Sequence, residues 1–86
     1  MAKPSLQEIQ IRLLTLLRCL NPNYPGAISL ETTLRNDLGY DEIGLRALSA
    51  RVNRDFGFTF DPDQMPAIIS VEGLAFQIDY YWPNQE

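Results

Sequence analysis

The sequence contains no histidine. That removes the commonest general base and the commonest metal ligand. It also rules out serine–histidine and cysteine–histidine nucleophile pairs. Cys19 is the only cysteine, so no internal disulfide can form and a reducing, cytoplasmic setting fits best. Lying mid-helix beside Leu20, Cys19 reads as a small packing residue. No apolar run approaches the ~20 residues of a membrane span, and the first ten residues, MAKPSLQEIQ, lack the apolar stretch of a signal peptide. Basic residues are few. The net charge of −4 and the absence of a basic cluster argue against binding nucleic acid or an anionic membrane. Repeats, low-complexity tracts and a glycine-rich phosphate loop are also missing, since Gly39, Gly44 and Gly57 are too widely spaced for one.

Two acidic patterns invite a catalytic or metal reading, and neither supports it. Asp61-Pro62-Asp63 matches the first two ligands of a calcium loop but lacks the later glycine and glutamate; it reads as a helix cap. Asp41 and Glu42 are adjacent, and neighbours on a helix point about 100° apart, so they do not form an acid/base pair. No cofactor or metal is expected, and the chain alone is not expected to be an enzyme.

An ordinary balance of apolar and charged residues over 86 positions predicts one globular domain, residues 1–86, with its core over about 6–80. Ser5 and Glu8 form an S-x-x-E capping box for a first helix running to about Leu20. Leu6, Ile9, Leu13, Leu16, Leu17 and Leu20 give it one apolar stripe, and Asn21-Pro22 stops it. Ile11 and Leu14 lie off that stripe, as part of a wide buried face or as a contact patch.

A long loop follows to Tyr40, pinned by Ile28, Leu30, Leu34 and Leu38, with one helical turn expected over 29–34. Asp41 caps a second helix from Glu42 to Phe56, which buries Leu45, Leu48, Val52 and Phe56 and stops at Gly57. Phe58-Thr59-Phe60 is expected to be extended. Asp61-Pro62 opens a short helix limited by Pro66. Ser70 caps a last helix from Val71 to about Tyr80, with Val71, Leu74, Ala75 and Ile78 inward and Trp82-Pro83 beyond. The expected fold is all-α: a small antiparallel bundle of three main helices and one short one, with a long first loop. Tyr80-Tyr81-Trp82 either closes one end of the core or offers a contact surface.

The stretch DLGYDEIGLRALSARVNRDFGFTF, residues 37–60, resembles the core of acyl carrier proteins, which carry D-L-G-x-D-S-L at the start of their second helix. SVEGLAFQI, residues 70–78, is similar to that family's final helix, which begins Thr-Val. The likeness spans roughly residues 6–78, including the length of the first helix and loop. In the family the motif serine accepts a phosphopantetheine arm. Residue by residue, Asp41 matches the family aspartate and Ile43 the leucine, while the serine position holds Glu42. Glutamate has no hydroxyl, so this position cannot form the phosphodiester. Ser49, well inside the helix, and Ser29 and Ser70, in loop and cap positions, do not replace it.

Glu42 has two readings. It suits the first turn of a helix, where an acidic side chain stabilises by about 0.3–1 kcal/mol, or its single negative charge copies that of a phosphodiester. The resemblance also implies a strongly acidic second helix that docks on basic patches of synthase enzymes. Here Arg46, Arg51 and Arg54 balance Asp41, Glu42 and Asp55, so partner choice should differ. Arg51 and Asp55 alternatively form a simple i,i+4 pair.

The leading expectation is a monomeric, non-enzymatic interaction module. It would dock on a protein partner, a fatty-acid or polyketide-type enzyme or another assembly, through Asp41, Glu42, Ile43, Leu45, Arg46, Arg51 and Arg54. The alternatives are a genuine carrier with an unusual attachment point such as Cys19, and a small structural subunit that buries Ile11, Leu14 and the aromatic end.

Overall fold

Short polar residues ahead of apolar-periodic runs set the helix starts. The computed structural model describes residues 3–57 and 61–82, and helix α1 spans Leu6–Leu20. The Glu8 N–H donates to Ser5 Oγ at 3.1 Å, and the Ser5 N–H donates back to the Glu8 carboxylate at 3.4 Å, so both halves of the capping box form. Helix α2 spans Glu42–Phe56; the Gly44 N–H donates to the Asp41 carboxylate at 2.7 Å. It ends at Gly57, whose φ of 76° lies in the left-handed region that glycine enters at no steric cost. A 3-10 helix follows at Pro62–Ala67, capped by Asp61; it runs one residue past Pro66, which was expected to limit it. Helix α3 spans Val71–Tyr80, with the Gly73 N–H donated to Ser70 Oγ. No strand occurs among the described residues, and the whole is a small all-α bundle. The expected extended stretch at Phe58-Thr59-Phe60, and Pro83, lie outside the described residues.

The core is continuous. Ile9, Leu13, Leu16 and Leu17 of α1 meet Leu45, Leu48, Val52 and Phe56 of α2, Met65 of the 3-10 helix, and Val71, Leu74, Ala75 and Ile78 of α3. Leu6 and Leu20, at the ends of the α1 stripe, are half-buried against this core, and so is Leu14. Ile11, by contrast, is exposed. The backbone of α1 packs against α3 and that of α2 against the 3-10 helix. The aromatic end divides. Trp82 is half-buried and meets Phe56 edge-on at 6.0 Å, closing the core, while Tyr80 and Tyr81 are exposed and pack edge-to-face at 4.9 Å. Lys3 pairs with Asp79 and ties the start of the chain to the end of α3.

Two devices hold the long first loop. Arg18, in the last turn of α1, donates to the carbonyls of Asn21, Pro22, Tyr24 and Gly26 at 2.8–3.2 Å. A guanidinium has five N–H donors in a fixed fork, which suits it to collect several carbonyls. Further along, Leu34 is wholly buried, and Ile28, Leu30 and Leu38 are half-buried against the core.

The expected helical turn over 29–34 does not form. The backbone makes a single turn, with the Thr32 N–H on Ser29 O, and then extends so that Thr33 bridges Ser70. A nonlocal demand wins here. The Val71 and Glu72 N–H groups at the start of α3 lack helical acceptors, and the carbonyls of Thr32 and Leu30 take them at 2.9 Å each. A helical 29–34 would turn those carbonyls back on itself.

Candidate functional site

The start of α2 is built by the four residues before Asp41. Asp37 and Thr33 bond reciprocally: the Thr33 N–H donates to the Asp37 carboxylate at 2.8 Å, and the Asp37 N–H donates to Thr33 Oγ1 at 3.0 Å. Leu38 rests against the core. Gly39, with φ 77°, reverses the chain, and a side chain there would force a disfavoured left-handed backbone. Tyr40 follows, half-buried, its hydroxyl accepting from the Asn21 amide at 3.1 Å. Gly44 leaves room for that ring, because a Cβ there would stand 3.1 Å from Tyr40 Cδ1 and 3.2 Å from Asp41 Oδ1. Each residue of the D-L-G-Y-D run thus has a local job in aiming the N-terminus of α2.

That N-terminus is open. Asp41 takes the Gly44 N–H, but among the described residues the N–H groups of Glu42 and Ile43 have no acceptor. The Glu42 carboxylate has no hydrogen-bond or ion-pair partner among them either. Ile43 is 80% exposed. Such a tip, with free donors and the positive end of the helix dipole, favours anionic groups, and Glu42 supplies one covalently.

The residues expected to meet a partner do not form one surface. Asp41, Glu42 and Ile43 gather at the tip. Arg46 is held sideways by Asp63 of the 3-10 helix at 2.9 Å. Leu45 is wholly buried, so the expectation that it touches a partner is corrected: at helical spacing from Leu48 and Val52 it belongs to the core. Arg51 and Arg54 face α1, and Arg51 lies 3.5 Å from Asp55, the expected i,i+4 pair. Sequence reasoning missed Arg12, whose guanidinium sits 4.4 Å over the Phe56 ring and donates to Asp55 O at 3.0 Å. Its partners lie far along the chain, so no local pattern announces it.

The serines are committed elsewhere. Ser5 and Ser70 cap helices, Ser29 Oγ accepts from the Glu31 N–H, and Ser49 is buried. Cys19 corrects another expectation, because it is exposed rather than packed inside. It follows Arg12 and Thr15 on the outward face of α1, at spacings of i, i+3 and i+7 from Arg12, while Leu16, Leu17 and Leu20 turn inward. We expect one thiol per chain to react with a disulfide reagent in the absence of denaturant. A thiol that reacts only after unfolding would contradict this placement.

Among the described residues no group of three or more histidine, cysteine, aspartate or glutamate side chains could hold a metal, and no helix is long and apolar enough to cross a membrane. A comparison with models of known protein families finds no match, and neither does a comparison with curated proteins.

Proposed function

We propose that this chain is a non-enzymatic protein-interaction module of acyl-carrier-like design that has lost the attachment point for a phosphopantetheine arm. The observation that carries the reading is Glu42. It is exposed and unpaired on an open helix tip, where the resemblance calls for a hydroxyl, and the residues before it form an ordered helix start through the Thr33–Asp37 bonds, Gly39 and the Asp41 cap. The order of three helices, one short helix and a long pinned first loop supports the same reading. So does the commitment of all four serines to caps, a turn or the core. Docking then uses the tip, where Ile43 offers an apolar contact and Glu42 a fixed negative charge in the position of a phosphodiester.

The test is affinity capture from the cell that makes the protein, at low salt because exposed charges are screened beyond about 10 Å at 0.1 M. Parent and Ile43→Asp proteins are compared, and captured proteins are identified by mass. The reading expects a partner that is retained by the parent and lost by Ile43→Asp, with the native protein unmodified in mass. A native form carrying a pantetheine arm, or no partner that depends on Ile43, would defeat it.

One observation favours a second reading, a carrier that uses thioester chemistry: Cys19 is exposed. It expects an acyl thioester on native Cys19, cleaved by hydroxylamine. A native Cys19 recovered only as the free thiol removes it.

A further inference from the structure

The seam between α1 and α2 carries open depressions. Two depressions follow it, of about 460 and 600 Å³, and they share Arg51 and Arg54. Leu20, Tyr40 and Leu48 line the first, and Ile11, Leu16 and Phe56 the second. Together they follow α2 from Gly44 to Phe56, about 18 Å at the helical rise. The depressions are open rather than enclosed.

The charge of the seam opposes that of the chain. Arg12, Arg51 and Arg54 set three guanidinium groups along it against the single carboxylate of Asp55, on a protein whose net charge is −4. Arg54 has no ion-pair partner among the described residues. Arg51 and Asp55 are both more than a third exposed, so their pairing is weak and easily exchanged. Arg12 is positioned by Phe56 and by Asp55 O through one of its terminal nitrogens, which leaves other N–H groups for an incoming acceptor.

We propose that the α1–α2 seam binds an acidic amphipathic helix of a partner protein. This rests on the interaction-module reading and names the chemistry of the partner. The apolar part of the lining, Ile11, Leu16, Leu20, Leu48 and Phe56, suits the apolar face of a third helix. The guanidinium groups suit carboxylates flanking that face, each able to pair in bidentate fashion. A nucleic acid would meet the excess negative charge of the remaining surface. A lone fatty anion would leave much of its chain wet in so open a groove. The tip of α2 and the seam then form two separate contact regions on one helix.

The test uses two synthetic peptides of about 16 residues, long enough to span the seam as a helix. Both carry leucine at i, i+3, i+4 and i+7. One has glutamate and alanine elsewhere; the other has glutamine in place of each glutamate. Binding is followed by fluorescence anisotropy and by amide chemical shifts of the isotope-labelled protein. The proposal expects the glutamate peptide to shift Ile11, Thr15, Cys19, Ala47, Arg51 and Arg54. It also expects binding about tenfold or more tighter than the glutamine peptide, and weakening by a similar factor in Arg54→Glu and further in the Arg51→Glu, Arg54→Glu double variant. No binding up to about 1 mM, equal affinity for the two peptides, shifts confined to other surfaces, or self-association of the protein through the seam would each overturn it.

Capture with the same variants separates this proposal from the reading beneath it. Partners lost with Ile43→Asp but kept by the double arginine variant leave the module reading standing and remove the seam. Seam-directed peptide binding with no Ile43-dependent partner does the reverse.

Discussion

Leu34→Ala should cost about 2–5 kcal/mol of folding stability, a large share of what a chain this size has in hand at roughly 0.05–0.15 kcal/mol per residue. Leu34 is the one apolar residue of the long loop that is wholly buried. Its N–H also donates to Ile69 O at 2.9 Å, and its carbonyl accepts the Tyr40 N–H at 3.0 Å. Truncation removes the transfer free energy of the side chain and leaves a cavity beside strands of backbone that cannot easily collapse, because the same loop supplies the Leu30 and Thr32 carbonyls that cap α3. Loosening the loop therefore also exposes α3's first donors. Urea unfolding checks this: with a slope of about 1 kcal/mol/M, the midpoint should fall by about 2 M or more. Leu30→Ala, at a half-buried position on the same loop, should cost clearly less. Equal midpoints for parent and Leu34→Ala would show that the loop is not pinned where the structure places it.

The helices were legible because their signals are local. S-x-x-E, Asp41 with Gly57, and Ser70 fix the starts and stops within one turn of each boundary, and the 3.6-residue period identifies the buried stripes. What was not legible depends on partners distant in the chain. The turn over 29–34 was misjudged because its carbonyls answer to Val71 and Glu72, some forty residues on. The pairing of Arg46 with Asp63 spans seventeen residues of chain and has no local signal. Arg12 gave no signal, since Phe56 and Asp55 are far away in sequence. Leu45 is a different kind of miss. Its period already assigned it to the core, so placing it in the contact set as well was at odds with the helical spacing. Cys19 similarly follows the outward spacing of Arg12 and Thr15, which was visible in the sequence but outweighed by its apolar neighbours.

The same loop explains why α2 rather than α3 has an open tip. Both helices begin with a short polar cap whose side chain takes the third N–H. At α3 the loop also takes the first two, through Thr32 O and Leu30 O. At α2 the chain arrives through Gly39 and Tyr40 from one side, and nothing covers the N–H groups of Glu42 and Ile43 among the described residues. One stretch of backbone thus closes one helix end, positions the other and leaves it unsatisfied. Only the second end can serve an external or covalent anion.

On the carrier-like reading proposed above, Glu42→Ser should gain a phosphopantetheine arm that the parent does not. The substitution restores a hydroxyl to the position the resemblance assigns to attachment, with Asp41 before it and the exposed Ile43 after it. The free N–H groups of residues 42 and 43 then lie where the phosphodiester would form. Losing the first-turn carboxylate costs about 0.3–1 kcal/mol, too little to unfold the domain. The check is intact mass after incubation with a phosphopantetheinyl transferase and its pantetheine donor. The parent and Glu42→Ala should remain at their starting mass, while Glu42→Ser gains one arm that maps to position 42. The effect is all-or-none, so it does not depend on a fine rate comparison. A Glu42→Ser protein that is folded by circular dichroism and stays unmodified would show that the likeness to the carrier motif does not extend to recognition by the transferase. An arm on the parent would remove the interaction-module reading altogether, because one of its committed serines would then have to leave its cap, turn or core position to accept it.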